Sequence, residues 1–334
     1  MRVLITGATG LIGSHLASYL LQRRVGEVWG LRRWRSSRHE PPGLRSVEGD
    51  VTDYLSLADV VARCRPDVVF HLAAQSYTAP SFEAPRTTWE VNVIGTLNLL
   101  EAIRRAPRKP EVILVAGSAA VYGQTDRFPT QEDTALRPVS PYGASKAAQE
   151  LLAGQYFRSY GLPILVTRSY IHVGTRQGLH NAVQNFAWQV ARAEVGLQEP
   201  VVRVGNLETR RDILDVRDAV RALWLLVELG TPGETYNVCR GEAYRIGDLL
   251  DHLIRLARRE LRVEVDQALL RPTDPALEVG SRAKLTAATG WEPVIPIAET
   301  LTWVLEWRRA QARGAAAENA GAQQESRGNR DLTG

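Results

Sequence analysis

Three residues near the middle of the chain have the types and spacing needed to move a proton at a carbinol oxygen. Ser118 follows an apolar segment, and Tyr142 is followed four positions later by Lys146. Residues four apart share one face of a helix, so an ammonium there can hold a nicotinamide ribose and lower the pKa of the phenol. Such a phenol can deliver or remove a proton while hydride moves to or from carbon. The pattern predicts a hydride-transfer site in which Ser118 orients the reacting oxygen.

Lysine usage supports a specific role for Lys146. Of the 41 basic residues only Lys109, Lys146 and Lys284 are lysines, and all the others are arginines. A compact ammonium fits beside ribose hydroxyls where a planar guanidinium does not. An ordinary exposed pair on a helix surface is the alternative interpretation.

A glycine-rich turn lies near the N-terminus. An apolar segment leads directly into Gly7-x-x-Gly10-x-x-Gly13, after which helical periodicity begins. Glycine lets the backbone approach a pyrophosphate closely, and the helix N-terminus offers unpaired N–H groups. With a strand before the turn and a helix after it, the motif predicts a dinucleotide site that includes the intervening Leu11 and Ile12.

The segment after the second predicted strand indicates which dinucleotide binds. An NAD site usually has an acidic residue there, about 20 residues beyond the glycines, for the ribose 2′-hydroxyl. This chain instead reads Arg-Arg-Trp-Arg-Ser-Ser-Arg over residues 32–38. Guanidinium groups bind phosphate in a bidentate manner, so Arg32, Arg33 and Ser36 predict a 2′-phosphate site, and NADP(H) in preference to NAD. An exposed basic loop is the alternative.

Two further segments are expected to line the cofactor. Asp50 and Val51 follow the third predicted strand, where Asp50 can accept a hydrogen bond from the exocyclic amine of adenine. Leu72, Ala73 and Ala74 follow the fourth, where small side chains leave room for the dinucleotide. Either segment alone is also compatible with ordinary packing.

Short β-branched segments alternate with helical stretches over the first 170 residues. This alternation is typical of an α/β fold with a Rossmann-type, doubly wound parallel sheet. The predicted strands are 2–6, 27–31, 68–72, 111–116 and 164–168, with helices that include 11–22 and 88–105.

The regular alternation of strands and helices ends after about residue 170, which predicts a smaller C-terminal substrate-binding lobe. We expect a dinucleotide-binding domain over residues 1–168, with 212–238 returning to it, and the lobe, interleaved with it, mostly over 169–308. Residues 309–334 are small, polar and aperiodic, so a disordered tail is expected there.

Composition excludes several other kinds of protein. The net charge of +4, with acids and bases intermixed, is too small to indicate a nucleic-acid partner. The two cysteines, Cys64 and Cys239, have neither the number nor the spacing of a disulfide framework or a zinc site, so no metal is expected. No apolar run of about 18 residues occurs, and the N-terminus enters a strand pattern at once. We therefore expect a cytoplasmic protein without a membrane segment.

Together these motifs resemble the extended short-chain dehydrogenase/reductase superfamily, whose members act mainly on nucleotide sugars. The resemblance covers residues 1 to about 308. It implies a GDP-sugar substrate and a homodimer, because further segments are similar to the branch of GDP-mannose 4,6-dehydratases and GDP-6-deoxy-4-keto-mannose reductases. Those segments are 204–212, 215–218, 236–239 and 270–274.

The residues beside Ser118 separate two activities within that branch. Loss of water across C5–C6 of the sugar needs a base for the C5 proton, and the dehydratases carry a Glu where this chain has Ala120. A methyl group cannot accept a proton, so the expected activity is NADPH-dependent reduction of the C4 ketone of GDP-4-keto-6-deoxy-D-mannose, with a proton from Tyr142. Three alternatives stay open: a GDP-mannose 4,6-dehydratase that uses Glu83 or Glu132, an NAD-dependent 4-epimerase, and a non-catalytic dinucleotide-sensing module.

The resemblance also implies where the GDP-sugar binds. Arg211 and Arg271 are expected to grip the diphosphate with forked donors. Two departures lie at the sugar pocket: Ile171 stands where an Asn usually precedes His172, and Arg176 stands where reductases often have glycine. The expected substrate-binding residues are Gln75, Ser118, His172, Arg176, Asn181, Arg211, Arg271 and Asp274.

Overall fold

A computed structural model describes residues 1–33, 40–270 and 275–330, with side chains as far as residue 319. Strands and helices alternate through the first half of the chain, as the sequence pattern predicts. The strands are β1 (Arg2–Thr6), β2 (Glu27–Arg32), β3 (Arg45–Glu48), β4 (Val68–His71), β5 (Val112–Ala116), β6 (Ile164–Ser169), β7 (Ile171–Val173), β8 (Val201–Val204), β9 (Arg210–Asp215), β10 (Thr235–Val238), β11 (Ala243–Arg245), β12 (Arg262–Val265) and β13 (Leu277–Glu278).

The α-helices lie between these strands, and short π and 3₁₀ turns occupy Glu90–Ile94, Ala119–Val121 and Gln267–Leu269. The helices are α1 (Leu11–Gln22), α2 (Tyr54–Cys64), α3 (Thr78–Glu83), α4 (Pro85–Trp89), α5 (Gly95–Arg105), α6 (Pro141–Tyr160), α7 (Ala182–Glu194), α8 (Val216–Leu229), α9 (Ile246–Arg255), α10 (Ala283–Thr289) and α11 (Ile297–Arg330).

Seven strands form one parallel sheet in the order β10-β6-β5-β4-β1-β2-β3. Successive side chains of a strand face opposite sides of a sheet. Leu4, Val69 and Ile113 share a hydrophobic core with residues of α2, α5 and α6. Phe70 faces the other side, where its ring centroid lies 6.5 Å from that of Trp224 on α8. Helices therefore cover both faces, and the Rossmann-type doubly wound sheet predicted from the sequence is confirmed.

Helix α6 carries two of the candidate catalytic residues, and the local sequence defines its ends. The Ser140 side chain caps the start by accepting a backbone N–H three residues on at 3.0 Å, and Pro141 takes the first helical position. Gly161 ends the helix with a φ of 66°, in the left-handed region. Tyr142 therefore lies in the first turn, with Lys146 one turn later.

A buried ion pair ties α6 to β6. Arg168 donates to both carboxylate oxygens of Glu150, at 3.0 Å from Nε and 2.6 Å from Nη2. The two side chains are only 7% and 12% exposed. Because bidentate geometry fixes orientation as well as distance, the pair sets the position of the helix along the strand.

The chain divides into two compact units. The first contains residues 1–172, 212–243 and 278–294, and the second contains 173–211, 244–277 and 295–334. The sequence analysis expected a lobe mostly over residues 169–308 and interleaved with the first domain, and residues 278–294 are a part of that range that lies in the first unit. These residues belong to the first unit because Trp291 is fully buried there and its indole N–H donates to the carbonyl of Asp218 at 3.1 Å. The substrate-binding role of the second unit stays a prediction.

The disordered tail expected from residue 309 onwards is wrong as far as residue 330, because α11 runs from Ile297 to Arg330. The segment is rich in alanine, the residue with the highest helix propensity. Within the second unit, Arg309 lies 2.6 Å from Glu194, and the two side chains are 7% and 6% exposed. Ala312 is also fully buried, so tertiary packing continues past the predicted end of the fold.

Among the residues described above, no helix is both long and apolar enough to cross a lipid bilayer. Over the same ranges, no three His, Cys, Asp or Glu side chains are grouped so that they could hold a metal ion. Cys64 and Cys239 are both buried as free thiols.

Candidate active site

The glycine turn after β1 is tightly packed. Gly7 has a φ of 70°, which glycine adopts without strain. A Cβ on Gly13 would lie 2.2 Å from the carbonyl oxygen of Gly7, and a Cβ on Gly7 would lie 2.8 Å from the backbone nitrogen of Ala73. Leu72, Ala73 and Ala74 are half-buried. Backbone contacts therefore require at least two of the three glycines and hold the turn against the end of β4.

The turn leaves the N-terminus of α1 suited to an anion. Gly10 is the N-cap and forms no side-chain cap, and the first helical turn contains no acidic residue. Leu11 and Ile12 are half-buried at this end of the helix. Backbone N–H groups at a helix N-terminus carry partial positive charge and bind phosphate. The turn therefore fits the pyrophosphate of a dinucleotide.

The basic segment after β2 is described only in part. The Arg32 guanidinium lies 3.2 Å from a carboxylate oxygen of Glu40 and 3.3 Å from one of Glu48. Arg33 is exposed, and Ser36 lies outside the described residues. The sequence pattern did not predict these pairings with Glu40 and Glu48. A bound 2′-phosphate would have to share the Arg32 guanidinium with both carboxylates. The 2′-phosphate site stays a prediction.

Asp50 and Val51 are held by local contacts. Asp50 Oδ1 accepts from the Thr52 backbone N–H at 2.9 Å and from the Thr52 hydroxyl at 2.8 Å. Val51 is buried, and its carbonyl oxygen accepts from Asn98 Nδ2 at 3.0 Å. One carboxylate oxygen of Asp50 therefore stabilises its own turn, and its contact with adenine stays a prediction.

Ser118 and Tyr142 meet through their side chains. A hydrogen bond joins the Ser118 hydroxyl to the Tyr142 phenol. Ser118 Oγ also accepts from the backbone N–H of Ala120 at 3.2 Å. The backbone N–H of Tyr142 donates to Ser81 Oγ at 3.1 Å. The first turn of α6 is thus held in place, and the two hydroxyls lie close enough to act on one substrate oxygen.

The pKa of the Tyr142 phenol is raised, whereas the four-residue spacing from Lys146 led us to expect a lowered pKa. Burial raises the pKa of Tyr142, and the hydrogen bond with Ser118 offsets only part of that rise. Lys146 Nζ donates to the carbonyl of Ala116 at 2.7 Å and to Gln149 Oε1 at 2.8 Å. The predicted lowering of the phenol pKa is therefore wrong for this arrangement, because the shared helix face does not aim the ammonium at the phenol.

The buried Lys146 should make the stability of the protein depend on pH. Burial lowers the pKa of Lys146 to about 7, whereas an unfolded lysine titrates near 10.4. Between these values the unfolded chain binds more protons, so the free energy of unfolding gains from this residue as pH rises from about 7 to 10. We expect Lys146→Met to flatten that rise by a few kcal/mol. Urea unfolding of both proteins across the window measures it.

The control for this measurement is Lys109→Met, because Lys109 is exposed. We expect this variant to keep the pH dependence of the unmodified protein. An equal rise in the free energy of unfolding between about pH 7 and 10 for Lys146→Met and the unmodified protein would contradict a lowered pKa of Lys146 in the folded state.

A buried asparagine, which the sequence pattern did not single out, holds the segment after β4. Asn92 accepts from the Gln75 backbone N–H at 2.8 Å, and donates to the Gln75 carbonyl at 3.2 Å and to Ser145 Oγ at 2.9 Å. The available signal was a polar residue within an otherwise amphipathic stretch. Gln75 is thus fixed through its backbone, and the binding role of its side chain stays a prediction.

Among the residues expected near the sugar, His172 belongs to the first unit and is buried in β7. Burial lowers the pKa of His172 to about 4, so its imidazole is neutral at pH 7. Arg271 and Asp274 lie outside the described residues. Substrate binding by all three stays a prediction.

Three more of these residues lie in the second unit. Arg176 has a φ of 63°. Asn181 caps α7 by accepting a backbone N–H two residues on at 3.0 Å. Arg211 is buried and donates to the carbonyl of the preceding residue at 2.9 Å. Their contacts with a GDP-sugar stay predictions.

The sequence analysis considered Glu132 and Glu83 as bases for the loss of water, and no contact in the structure links either carboxylate to Ser118 or Tyr142 among the described residues. Glu132 Oε1 accepts from the backbone N–H of Asn237 at 2.8 Å, which joins its loop to β10. Glu83 is exposed at the end of α3. Beside Ser118, Ala120 offers only a methyl group.

The chain is similar to known proteins over almost its whole length. The family model described as GDP-mannose 4,6 dehydratase matches residues 4–303. The GDP-6-deoxy-D-mannose reductase of Pseudomonas aeruginosa is 34% identical over 311 residues, which cover 92% of this chain and 97% of that protein. The structure of RMD from Pseudomonas aeruginosa complexed with NADPH matches with a TM-score of 0.80 and 32% identity, over 93% and 100% of the two chains. The UDP-glucose 4-epimerase of Thermus thermophilus, in complex with NAD, matches with a TM-score of 0.82 and 31% identity, over 92% and 99%.

Proposed function

The chain belongs to the GDP-mannose 4,6-dehydratase family, within the nicotinamide-dependent nucleotide-sugar enzymes of the extended short-chain dehydrogenase/reductase superfamily, and we propose that it is a reductase. The proposed reaction is the NADPH-dependent reduction of the C4 ketone of GDP-4-keto-6-deoxy-D-mannose. When bound, the dinucleotide supplies the hydride. The protein supplies the binding site and the proton.

The observation that carries this proposal is the side chain at position 120. A dehydratase must remove the C5 proton of the sugar, and the methyl group of Ala120 cannot do so. Of the two alternative carboxylates, Glu132 accepts a hydrogen bond from the backbone of β10, and Glu83 is exposed at the end of α3. Ketone reduction needs no such base, which favours it over loss of water.

The acid–base pair fits the direction of ketone reduction. A phenol whose pKa is raised by burial keeps its proton at neutral pH, and it can pass that proton to the C4 oxygen as negative charge develops there. Ser118, hydrogen-bonded to the phenol, would orient the same oxygen. Lys146 would hold the nicotinamide ribose.

NADP(H) is the proposed cofactor, with NAD as the alternative. Two observations support it: Arg32 ends β2, where the ribose 2′ position is expected, and the RMD structure contains NADPH. We expect Arg32→Ala to raise the KM for NADPH about tenfold, the cost of one charged phosphate contact, and to leave the KM for NADH nearly unchanged. Steady-state kinetics with both cofactors measure the two values.

Arg45→Ala is a suitable control for the Arg32 variant. Arg45 is a partly exposed arginine on β3 that pairs with Glu27 at 3.2 Å, and its removal should change neither KM. An equal rise for NADPH and NADH in Arg32→Ala would contradict recognition of the 2′-phosphate.

The activity itself is tested by offering GDP-mannose and its 4-keto-6-deoxy derivative, each with and without NADPH, followed by mass spectrometry. The proposal predicts a product two hydrogens heavier than the ketosugar, formed only with NADPH. Loss of water from GDP-mannose without added reductant would instead establish the dehydratase. A tightly bound NAD in the purified protein, with isomerisation of a nucleotide sugar, would establish the epimerase. The absence of turnover in every arm would favour the sensing module.

We also propose a cytoplasmic homodimer, on the resemblance to this superfamily. Trp89, Ile94 and Leu151 support an interface beside α6, because all three are exposed, at 42%, 45% and 64%. Trp89 ends α4 and Ile94 ends the π turn, and both elements pack against α6, which carries Leu151. Sedimentation velocity should show twice the mass of one chain, and a monomer alone would contradict the dimer.

A further inference from the structure

A chain of buried hydrogen bonds lies behind Lys146. Lys146 Nζ donates to Gln149 Oε1 at 2.8 Å, and Gln149 Nε2 donates to Thr96 Oγ1 at 2.8 Å. All three side chains are at most 3% exposed. Gln149 therefore joins the lysine of α6 to the first turn of α5. Among the described side chains of these two helices, Gln149 is the only one to which Nζ donates.

The hydroxyl of Thr96 determines which end of the Gln149 carboxamide faces the lysine. Thr96 Oγ1 donates its single proton to the carbonyl of Asn92 at 2.6 Å. Towards Gln149 and towards His71 Nε2, which lies 2.9 Å away, it can therefore act only as an acceptor. The carboxamide must present its NH₂ to Thr96, which leaves its carbonyl oxygen for Lys146.

Hydrogen bonds at the other end of this network, around Thr6, determine which nitrogen of His71 carries the proton. Thr6 Oγ1 accepts from the backbone N–H groups of Leu72 and Ala73 at 3.2 and 3.1 Å, so its proton goes to His71 Nδ1 at 2.8 Å. The imidazole therefore carries its proton on Nε2, facing Thr96. Burial lowers the pKa of His71 to about 3, so the imidazole is neutral at pH 7.

We propose that Gln149 is a positioning residue that keeps Lys146 protonated and aimed at the dinucleotide. Of the three N–H groups of the ammonium, one goes to the Ala116 carbonyl and one to Gln149, which leaves the third for the ribose hydroxyls. This role rests on the proposed function of Lys146. Any substitution that removes the carbonyl oxygen at position 149 should therefore change the protonation and the orientation of Lys146.

The electrostatic surroundings make the carbonyl of Gln149 important. The groups facing Lys146 are the neutral His71 from β4, the carbonyl of Ala116 from β5, and the carboxamide of Gln149 from its own helix. Across residues 1–33, 40–270 and 275–319, no carboxylate lies within ion-pair distance of Lys146 Nζ. Glu150, which follows Gln149 on α6, pairs with Arg168 instead. Neutral oxygens alone thus stabilise a charge whose burial is unfavourable.

The rarity of lysine allows a direct test on the enzyme without substrate. With ¹³C- and ¹⁵N-labelled lysine, the protein gives ε-methylene signals from only Lys109, Lys146 and Lys284, and a Lys146→Arg variant assigns the buried one. Gln149→Met keeps the side-chain volume and removes the oxygen. We expect the titration midpoint of Lys146 to fall by about one to two pH units, the effect of losing a hydrogen bond to a charged group.

A second variant keeps the test decisive if the first fails to fold. Gln149→Glu places a carboxylate beside the ammonium and should raise the midpoint of Lys146. Gln155→Met, on the same helix but without a contact to Lys146, is the matched control and should leave the midpoint unchanged. The signals of Lys109 and Lys284 report whether each variant is folded.

Binding of NADPH provides an independent readout. Fluorescence titration should show a several-fold weaker affinity in Gln149→Met, and the alkaline limb of kcat/KM should move to lower pH. Unchanged Lys146 midpoints in folded Gln149→Met and Gln149→Glu, or an equal shift in Gln155→Met, would overturn the role of Gln149. Because the titration uses neither substrate nor cofactor, a wrong assignment of the reaction would leave its result intact.

Discussion

Replacing Tyr142 with phenylalanine lowers kcat for reduction of the ketosugar by about 10²- to 10⁴-fold, the range contributed by a positioned general acid. The substitution removes one oxygen and leaves the ring that packs at the start of α6. Without that oxygen, no group hydrogen-bonded to Ser118 can protonate the C4 alkoxide as it forms. Stopped-flow oxidation of NADPH measures the loss.

The Tyr142→Phe result depends on two controls. The dissociation constant for NADPH should stay within a few-fold of that of the unmodified protein, because the phenol is assigned to proton transfer. Tyr160→Phe makes the same chemical change at the exposed end of α6 and should keep full activity. A Tyr142→Phe enzyme with more than about a tenth of the original kcat would contradict the assignment of the general acid.

Replacing Gly13 with alanine should weaken dinucleotide binding on the order of 100-fold. The added Cβ would lie 2.2 Å from the carbonyl oxygen of Gly7, so the turn or the helix must move by about 1 Å to restore an ordinary contact. The N–H groups of α1 would then no longer meet the pyrophosphate together. Fluorescence titration with NADPH measures the affinity, and circular dichroism checks that the fold persists.

Two other glycines provide graded controls for Gly13→Ala. A Cβ on Gly10 would meet the same carbonyl oxygen at 3.3 Å, and a Cβ on Gly314 meets nothing within 4 Å. We therefore expect a smaller loss of affinity in Gly10→Ala and none in Gly314→Ala. Full affinity in Gly13→Ala would show that the turn does not bind the cofactor.

The local parts of the site could be predicted from the sequence. The glycine spacing and the order of strand, turn and helix involve neighbouring residues, and the helix that begins at Pro141 carries its own cap. The alternation of strands and helices was enough to predict the parallel sheet. The family could be recognised because these motifs occur together.

The long-range parts could not be predicted in this way. Thr6 and His71 are 65 positions apart, and Thr96 is 53 positions from Gln149. The pairing of β1 with β4 brings the first two together, and the packing of α5 against α6 brings the other two together. The spacing of Tyr142 and Lys146 fixed their shared face but not the direction of the ammonium. The helix beyond residue 309 combines a high alanine content with the burial of Arg309 and Ala312, and a polar composition does not reveal that burial.

The most direct test of the account uses NADPH deuterated at both C4 positions, with GDP-4-keto-6-deoxy-D-mannose as the substrate. If the protein reduces the ketone, mass spectrometry finds one deuterium per sugar, attached to carbon 4, in a yield that matches the NADPH consumed. Unchanged ketosugar, or a product without deuterium, would contradict the assignment of this chain as a ketosugar reductase.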